Sequence, residues 1–488
     1  MRRDDVGVAD EDRDVRRRDL TPEEQATQLP PVFNFTDAQK RALPTWVTAA
    51  GSMDVAKIYL AELPLRSHVP VAFRGRWAAA NAKVAKWHRD ASEGSKKQQS
   101  ALKLKIVLHV LLLRKSLRSS RGRGRRHDTI YQNFLDFEQG NFATLIHAAL
   151  ADVARWASRQ RDSNGRRRAP VSLGDRMNNI ILSQKTISRA ARLLGGVILA
   201  SGDDPDVAAQ VIAKHPHRRK DVPTVVPNGV ECEPVAVELA ERYLSLDPAS
   251  AVGPGGYRNT FLTSLALGES NEGVLAHEYF ANRFLNGKCP PWYYRMKAAI
   301  RIACLTDLFD EHGNVRPVGI TCCEKRSWTS ALVAAKKIEL AQFLCPWQTA
   351  VGVSGGCHLV PIALGIHLKL HPDHVALALD VKNAFNAGER AKILERIAAK
   401  EETRWLLPVM RAILQARSEV FGVAGLEEVA NGLTQGEGTS LPAFAITIQE
   451  PLERAGQCLE EANGLGVSFA DDIFFRRHLQ LFYGRYRS

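Results

Sequence analysis

No apolar run in this chain is long enough to cross a bilayer. The longest, residues 106–113, is broken by His109, whereas a spanning helix needs about 20 apolar residues. The N-terminus, MRRDDVGVADEDRDVRRRD, lacks the apolar stretch of a secretory signal and is too acidic for a transit peptide. Cysteine is thinly spread: eight thiols form no C-x-x-C pair and have no histidines at finger spacing, which argues against a zinc site. Without a secretory signal these thiols read as reduced groups in an intracellular, membrane-free protein. No internal repeat is present.

Acid is missing where base is dense. Residues 94–127 hold eleven Lys or Arg and no Asp or Glu, ending in Arg121-Gly122-Arg123-Gly124-Arg125-Arg126. Residues 155–168 hold six Arg against Asp162, and His215-Pro216-His217-Arg218-Arg219-Lys220 follows. A solvated helix face plus a loop explains any one of these. Three clusters in a chain of net charge +13 fit the footprint of a polyanion binder. Lys115, Arg118, Arg121, Arg123, Arg125 and Arg126 are the candidate nucleic-acid contacts, and such a partner points to the nucleus.

With 488 residues, the chain has room for two or three cores. Residues 1–30 are charged and nearly free of large apolar side chains, which predicts a disordered tail. Residues 31–250 read mainly as helices: KIYLAEL, ALKLKIVLHVLLLRKSL, NFATLIHAALADVARWA and TISRAARLLGGVILA space apolar residues by three and four. Asp247-Pro248 and Gly253-Pro254-Gly255-Gly256 mark a boundary. Beyond it, helices over residues 329–344, 389–399, 402–417 and 440–462 alternate with short strands, which predicts an α+β fold.

Chemistry enters with three short stretches. Residues 374–381, HVALALDV, read as a buried strand ending in Asp380 and running through Val381-Lys382-Asn383-Ala384-Phe385-Asn386 into a helix. Asn431-Gly432-Leu433-Thr434-Gln435-Gly436 follows. Phe469-Ala470-Asp471-Asp472 then places an acid pair at a hairpin tip. Alone, these are a helix cap, an ordinary turn and a solvated turn. Together, an acid at a strand end and an acid pair at a turn can converge on one cation site, as two-metal phosphoryl transfer requires.

Order and spacing resemble the palm of reverse transcriptases of the non-long-terminal-repeat retrotransposon type, closest in motif style to trypanosomatid spliced-leader elements. LDVKNAFN, GLTQG and FADD are similar to that family's three palm motifs. Upstream, residues 313–320 with Arg316-Pro317 resemble a fingers motif, and Trp347-Gln348-Thr349-Ala350-Val351-Gly352 resembles a Gln-x-Gly segment. Gly253-Pro254-Gly255-Gly256-Tyr257 resembles the opening of such domains, so the likeness covers about residues 250–476. It implies fingers and palm over 251–476 and an RNA-directed DNA polymerase, a nucleotidyltransferase with an RNA template, a DNA primer and deoxynucleoside triphosphates. Asp380, Asp471 and Asp472 become the catalytic acids, and with the Val381 carbonyl the Mg²⁺ ligands: Asp380 and then Asp471 are the main ones, and Asp472 is either a further ligand or only a source of negative potential. Arg316, Phe385, Gln435 and Gly436 line the nucleotide site, Phe385 leaving no room for a 2′-hydroxyl.

Two departures temper the expected activity. Glu437-Gly438-Thr439 stands where the family runs through an acid, Pro and Leu. After the hairpin only a tail, residues 477–488, remains, so the resemblance implies a truncated element without a thumb. The alternatives are a catalytically dead remnant that binds RNA or DNA through its basic N-terminal half, and an unrelated helical interaction protein.

Overall fold

Polar caps and turns cut the chain into many short helices around two small sheets. The structure, a computed structural model, describes residues 29–115, 117, 128–163, 197–215, 230–307, 313–416, 418–429, 431–461 and 463–478. Its longer helices are α1 (Arg74–Arg89), α2 (Lys96–Leu113), α3 (Asp128–Gln139), α4 (Phe142–Ser163), α5 (Pro205–Ala213), α6 (Asn259–Ala266) and α7 (Glu272–Leu285). They continue with α8 (Pro291–Ala298), α9 (Cys323–Ala335), α10 (Lys337–Leu344), α11 (Gly356–Leu370), α12 (Arg390–Ala399), α13 (Leu407–Gln415) and α14 (Ser440–Glu460). The strands are β1 (Val197–Ala200), β2 (Ile300–Asp307), β3 (Val315–Thr321), β4 (His374–Asp380), β5 (Ser418–Phe421), β6 (Glu428–Val429), β7 (Leu465–Phe469) and β8 (Asp472–His478). The class is α+β, as the alternation of patterns predicts. Among the described residues no helix is long and apolar enough to cross a membrane.

Helix α2 is the central post. Ser95 caps it, accepting from the Gln98 N–H at 3.1 Å, and nearly every residue from Gln98 to Leu113 is buried. Such a helix has no wet face. Three cations of the first basic cluster are therefore spent inside and do not belong to a surface footprint. Lys103 donates to the carbonyls of Pro31 and Gly51, both at 2.7 Å, and burial pulls its ammonium down to about 7. Lys105 meets Glu324 at 2.8 Å and Arg114 meets Asp152 at 3.2 Å. Lys115, one residue further, is exposed. Arg118, Arg121, Arg123, Arg125 and Arg126 lie outside the described residues, as do the N-terminal tail to residue 28 and residues 479–488.

β2 organises the larger sheet. β3 runs antiparallel along one edge of it, while β1 (antiparallel) and β5 (parallel) share the other, with β6 beyond β5. β3 thus lies at an edge, which suits Pro317, a residue with no N–H for a second ladder. Val197–Ala200, expected as the end of a helix, is instead the strand β1. Its apolar residues, Val197 and Ile198 β-branched, pair in register with β2 from Asp307 to Cys304, and that pairing overrides a helical spacing. The helix expected over 329–344 is likewise two, α9 and α10, divided at Lys336.

One core runs from Phe35 to Ile446, so helices before residue 250 and elements after it pack together. Helix α5 also covers the larger sheet: the Val315 N–H donates to Gln210 Oε1 at 3.0 Å, and Lys214 donates to the Val315 carbonyl at 2.5 Å. At the centre of the core, fully buried Glu324 binds Lys105 on one oxygen and Lys297 on the other. His277 touches Lys105 at 2.8 Å, Asn81 at 3.0 Å and Tyr243 at 3.1 Å. Burial alone would raise the Glu324 carboxyl, but two adjacent ammonium groups outweigh it and hold the group ionised, far below the usual range.

The smaller sheet is antiparallel throughout, in the order β4–β8–β7. Val360 and Leu364 of α11 pack on Val467 of β7. β4 was expected to be buried, yet Leu377 and Leu379 are 40% and 42% exposed. Among the described residues β4 pairs with β8 alone, and α11 uses its inward face on the β7 side. An edge strand covered so incompletely keeps its apolar run wet.

Candidate metal and nucleotide site

The β4–β8 register runs from His374 opposite His478 to Asp380 opposite Asp472. Antiparallel partners stand about 4.5–5.5 Å apart at Cα and project from the same face of the sheet. The structure therefore sets two exposed carboxyl residues directly across a strand pair. Like charges so placed repel, and a cation between them would remove the repulsion. Asp471 sits beside them in the two-residue turn of the β7–β8 hairpin, half-buried. Its turn partner Ala470 has φ +55°, a conformation sparsely adopted by residues with a Cβ.

Among the described residues, no three His, Cys, Asp or Glu side chains are arranged to hold a metal ion by themselves. Magnesium, however, is commonly bound through one or two carboxylates and completes its shell with phosphates and water. By donor chemistry, the facing pair of carboxylates suits an ion that takes the rest of its shell from phosphate and water. The Val381 carbonyl accepts from the Ala384 N–H at 3.1 Å, which leaves one lone pair for another partner.

Past Val381 the chain turns at Asn383, φ +53°, into a single helical turn holding Phe385 and Asn386. The 431–436 loop folds onto that turn: the Leu433 N–H donates to the Phe385 carbonyl at 2.7 Å. At Gly432, φ +70°, a Cβ would strike the carbonyls of Asn386 and Phe385 at 2.4 and 2.5 Å. Buried Arg390 reinforces the joint, donating to the carbonyls of Gly432 at 3.2 Å and Leu414 at 3.0 Å. The first and second motifs are thus brought together, and Gln435 and Gly436 are exposed at the end of the loop.

A narrow cleft separates that loop from the larger sheet. Thr434, Gln435 and Asn386 line it on one side, Pro317 and Gly319 of β3 on the other. Gly319 lets the loop approach, since a Cβ there would meet the Thr434 methyl at 2.4 Å. Phe385 does not line the cleft. Its half-buried ring packs on Phe444 of α14, 5.1 Å between centroids. Arg316 is exposed on β3, but strand alternation turns it to the face opposite Pro317 and Gly319. The structure therefore does not bring Arg316 into the cleft with Gln435.

Three positioning residues carried no assigned role in the sequence reading. Arg390 is one. Glu437, seen only as a departure from a motif, is buried and accepts from Thr321 at 2.9 Å and Thr329 at 2.5 Å, with Lys325 at 2.9 Å. It pins the loop to β3 and α9. Lys325 and Thr329, four apart on one helix face, are the pattern that could have suggested a buried anion. Gln348 is the third: it is fully buried and bonded to the hairpin tip. A scan against protein-family models and a search of curated proteins return no match for this chain.

Proposed function

We propose that this chain carries the nucleotidyl-transfer site of an RNA-directed DNA polymerase of a retrotransposon. The observation that carries the reading is the pairing of Asp380 with Asp472 across β4 and β8, with Asp471 at the adjoining turn. A strand ending in an acid, paired with a hairpin that opens on acids, is the arrangement the palm resemblance implies. On this reading β4, β7, β8 and α14 form the palm, and β2 and β3 belong to the fingers.

Asp380 and Asp472, with Asp471, would hold Mg²⁺. When bound, the metal supplies charge neutralisation at the attacking and leaving oxygens of the transferred phosphoryl group. The protein would contribute positioning: the exposed Gln435–Gly436 loop would meet the incoming deoxynucleotide, and Phe385 lies in the turn after the first acid. The reaction joins a primer 3′-oxygen to an α-phosphorus and releases pyrophosphate. On this reading a DNA primer would put the reaction in the nucleus. Lys115 and the arginines after it would contact the nucleic-acid backbone.

The test is primer extension on an RNA template with purified protein, Mg²⁺ and deoxynucleoside triphosphates. Extension that disappears in both Asp380→Ala and Asp472→Ala, with template binding retained, supports the reading. Extension kept by either variant at more than a few per cent of the wild-type rate overturns it. Template binding without any extension by the wild type would favour a non-catalytic remnant.

A further inference from the structure

We infer that Gln348 is a positioning residue for the acid pair at the hairpin tip, an inference that rests on the metal-site reading above. Gln348 lies between α10 and α11 and is 0% exposed. Its Nε2 donates to the Ala470 carbonyl at 3.1 Å, and its Oε1 accepts from the Ala470 N–H at 2.9 Å and the Ala350 N–H at 3.1 Å. One carboxamide therefore grips both the donor and the acceptor of one residue. That also fixes which way the amide faces, since an N–H can only meet the oxygen.

Ala470 needs such a grip. With φ at +55° it holds a left-handed conformation that Gly or Asn would adopt more readily. The hairpin sequence supplies neither, so the turn is held from outside. The support is itself anchored beside β7: the Thr349 N–H donates to the Ser468 carbonyl at 2.9 Å, and the Ser468 N–H donates to the Trp347 carbonyl at 2.8 Å. The Ser468 hydroxyl donates to the same Trp347 carbonyl at 2.7 Å. Residues 347–349 thus run along β7 as a short extra rail, from which Gln348 reaches the tip. The peptide planes around Ala470 set the direction in which Asp471 leaves the turn. They also set how Asp472 enters register with Asp380. Gln348 acts on the metal through those two acids and touches neither substrate nor metal.

Partners behind metal ligands typically change affinity by about 10–100-fold when removed. The experiment measures Mn²⁺ binding to the full chain by electron paramagnetic resonance. It compares wild type, Asp380→Asn, Gln348→Ala and Gln449→Ala. Gln449 is a control of the same type, a buried glutamine that donates to the Phe343 and Leu344 carbonyls at 3.3 and 3.2 Å. The expected result is a site lost in Asp380→Asn, weakened about tenfold in Gln348→Ala, and unchanged in Gln449→Ala. Ala470→Gly keeps the backbone partners of Gln348 and should bind as wild type does. Wild-type affinity in a folded Gln348→Ala overturns the inference while leaving the metal site standing. Should Gln348→Ala not fold, volume-matched Gln348→Met decides by the same criterion. A wild type with no site sensitive to Asp380→Asn overturns the metal reading and this inference with it.

Discussion

The Lys325 ammonium lies 2.9 Å from a Glu437 carboxylate oxygen, and both side chains are almost wholly buried. This pair ties the loop after Gln435 to the first turns of α9, with the Thr321 and Thr329 hydroxyls donating to the same carboxylate. A loop that borders the cleft is thereby held by charge as well as by packing.

Removing one partner leaves the other charge buried and alone, which costs about 3–5 kcal/mol. Glu437→Gln should therefore lower the urea midpoint sharply. Lys325→Met combined with Glu437→Leu should recover most of the loss, because no isolated charge remains. Equal damage in the single and double variants would refute a buried ion pair.

His109 predicts acid sensitivity. Burial lowers its imidazole from 6.5 to about 4; one nitrogen meets the Gly255 carbonyl at 2.6 Å and Nδ1 has no partner. The fold thus favours the neutral ring. Its contribution is complete above pH 6.5 and declines as pH falls from 6.5 toward 4, a loss on the order of 3 kcal/mol. His88, lowered to about 4 mainly by burial, acts in the same direction. Urea midpoints measured from pH 7.5 to 4.5 should fall toward acid, and His109→Gln should flatten part of that slope. A flat profile in the wild type would sink the prediction.

Asp380→Asn should separate stability from catalysis. Without metal the substitution relieves the charge facing Asp472 and should stabilise by about 0.2–1 kcal/mol. Mg²⁺ should raise the melting temperature of the wild type and leave the variant unmoved, since only a ligand that binds the folded state stabilises it. Scanning calorimetry with and without EDTA gives both numbers. A Mg²⁺ response that survives in the variant would place the ion elsewhere.

Phe385→Val tests sugar selection against packing. If the ring crowds the 2′ position, ribonucleotide incorporation rises relative to deoxyribonucleotide. Loss of the tilted ring contact with Phe444 costs about 0.5–1.5 kcal/mol beyond area burial in either case. A destabilised variant with unchanged discrimination would assign Phe385 to packing alone.

What was legible in the sequence was local. The hairpin around Asp471 and the strand ending at Asp380 are set by short patterns and turns, and β4, β7 and β8 appear where expected. The strand at Val197–Ala200 was not legible, because four apolar residues become β only when β2 is there to pair with them. Nor was the burial of Lys103 and Lys105: composition counts charges but does not say which face of a helix is covered. The candidate site divides in the same way. The meeting of the strand ending at Asp380 with the hairpin at Asp472 could be anticipated, whereas the contacts of Gln348 and Glu437 span long sequence separations that no local spacing records.

The Glu324 cluster has a bearing on how the chain must be made. Lys105 and Glu324 are separated by 219 positions. At about 5–20 residues per second, the ribosome delivers the carboxylate roughly 10–45 s after the ammonium. During that interval the Lys105 ammonium lacks its carboxylate partner, so burying it with α2 is unfavourable. Close packing around Lys105 is therefore favoured only once a residue of the later half has arrived. A pause in translation before Glu324 should therefore prolong the time for which Lys105 has no partner.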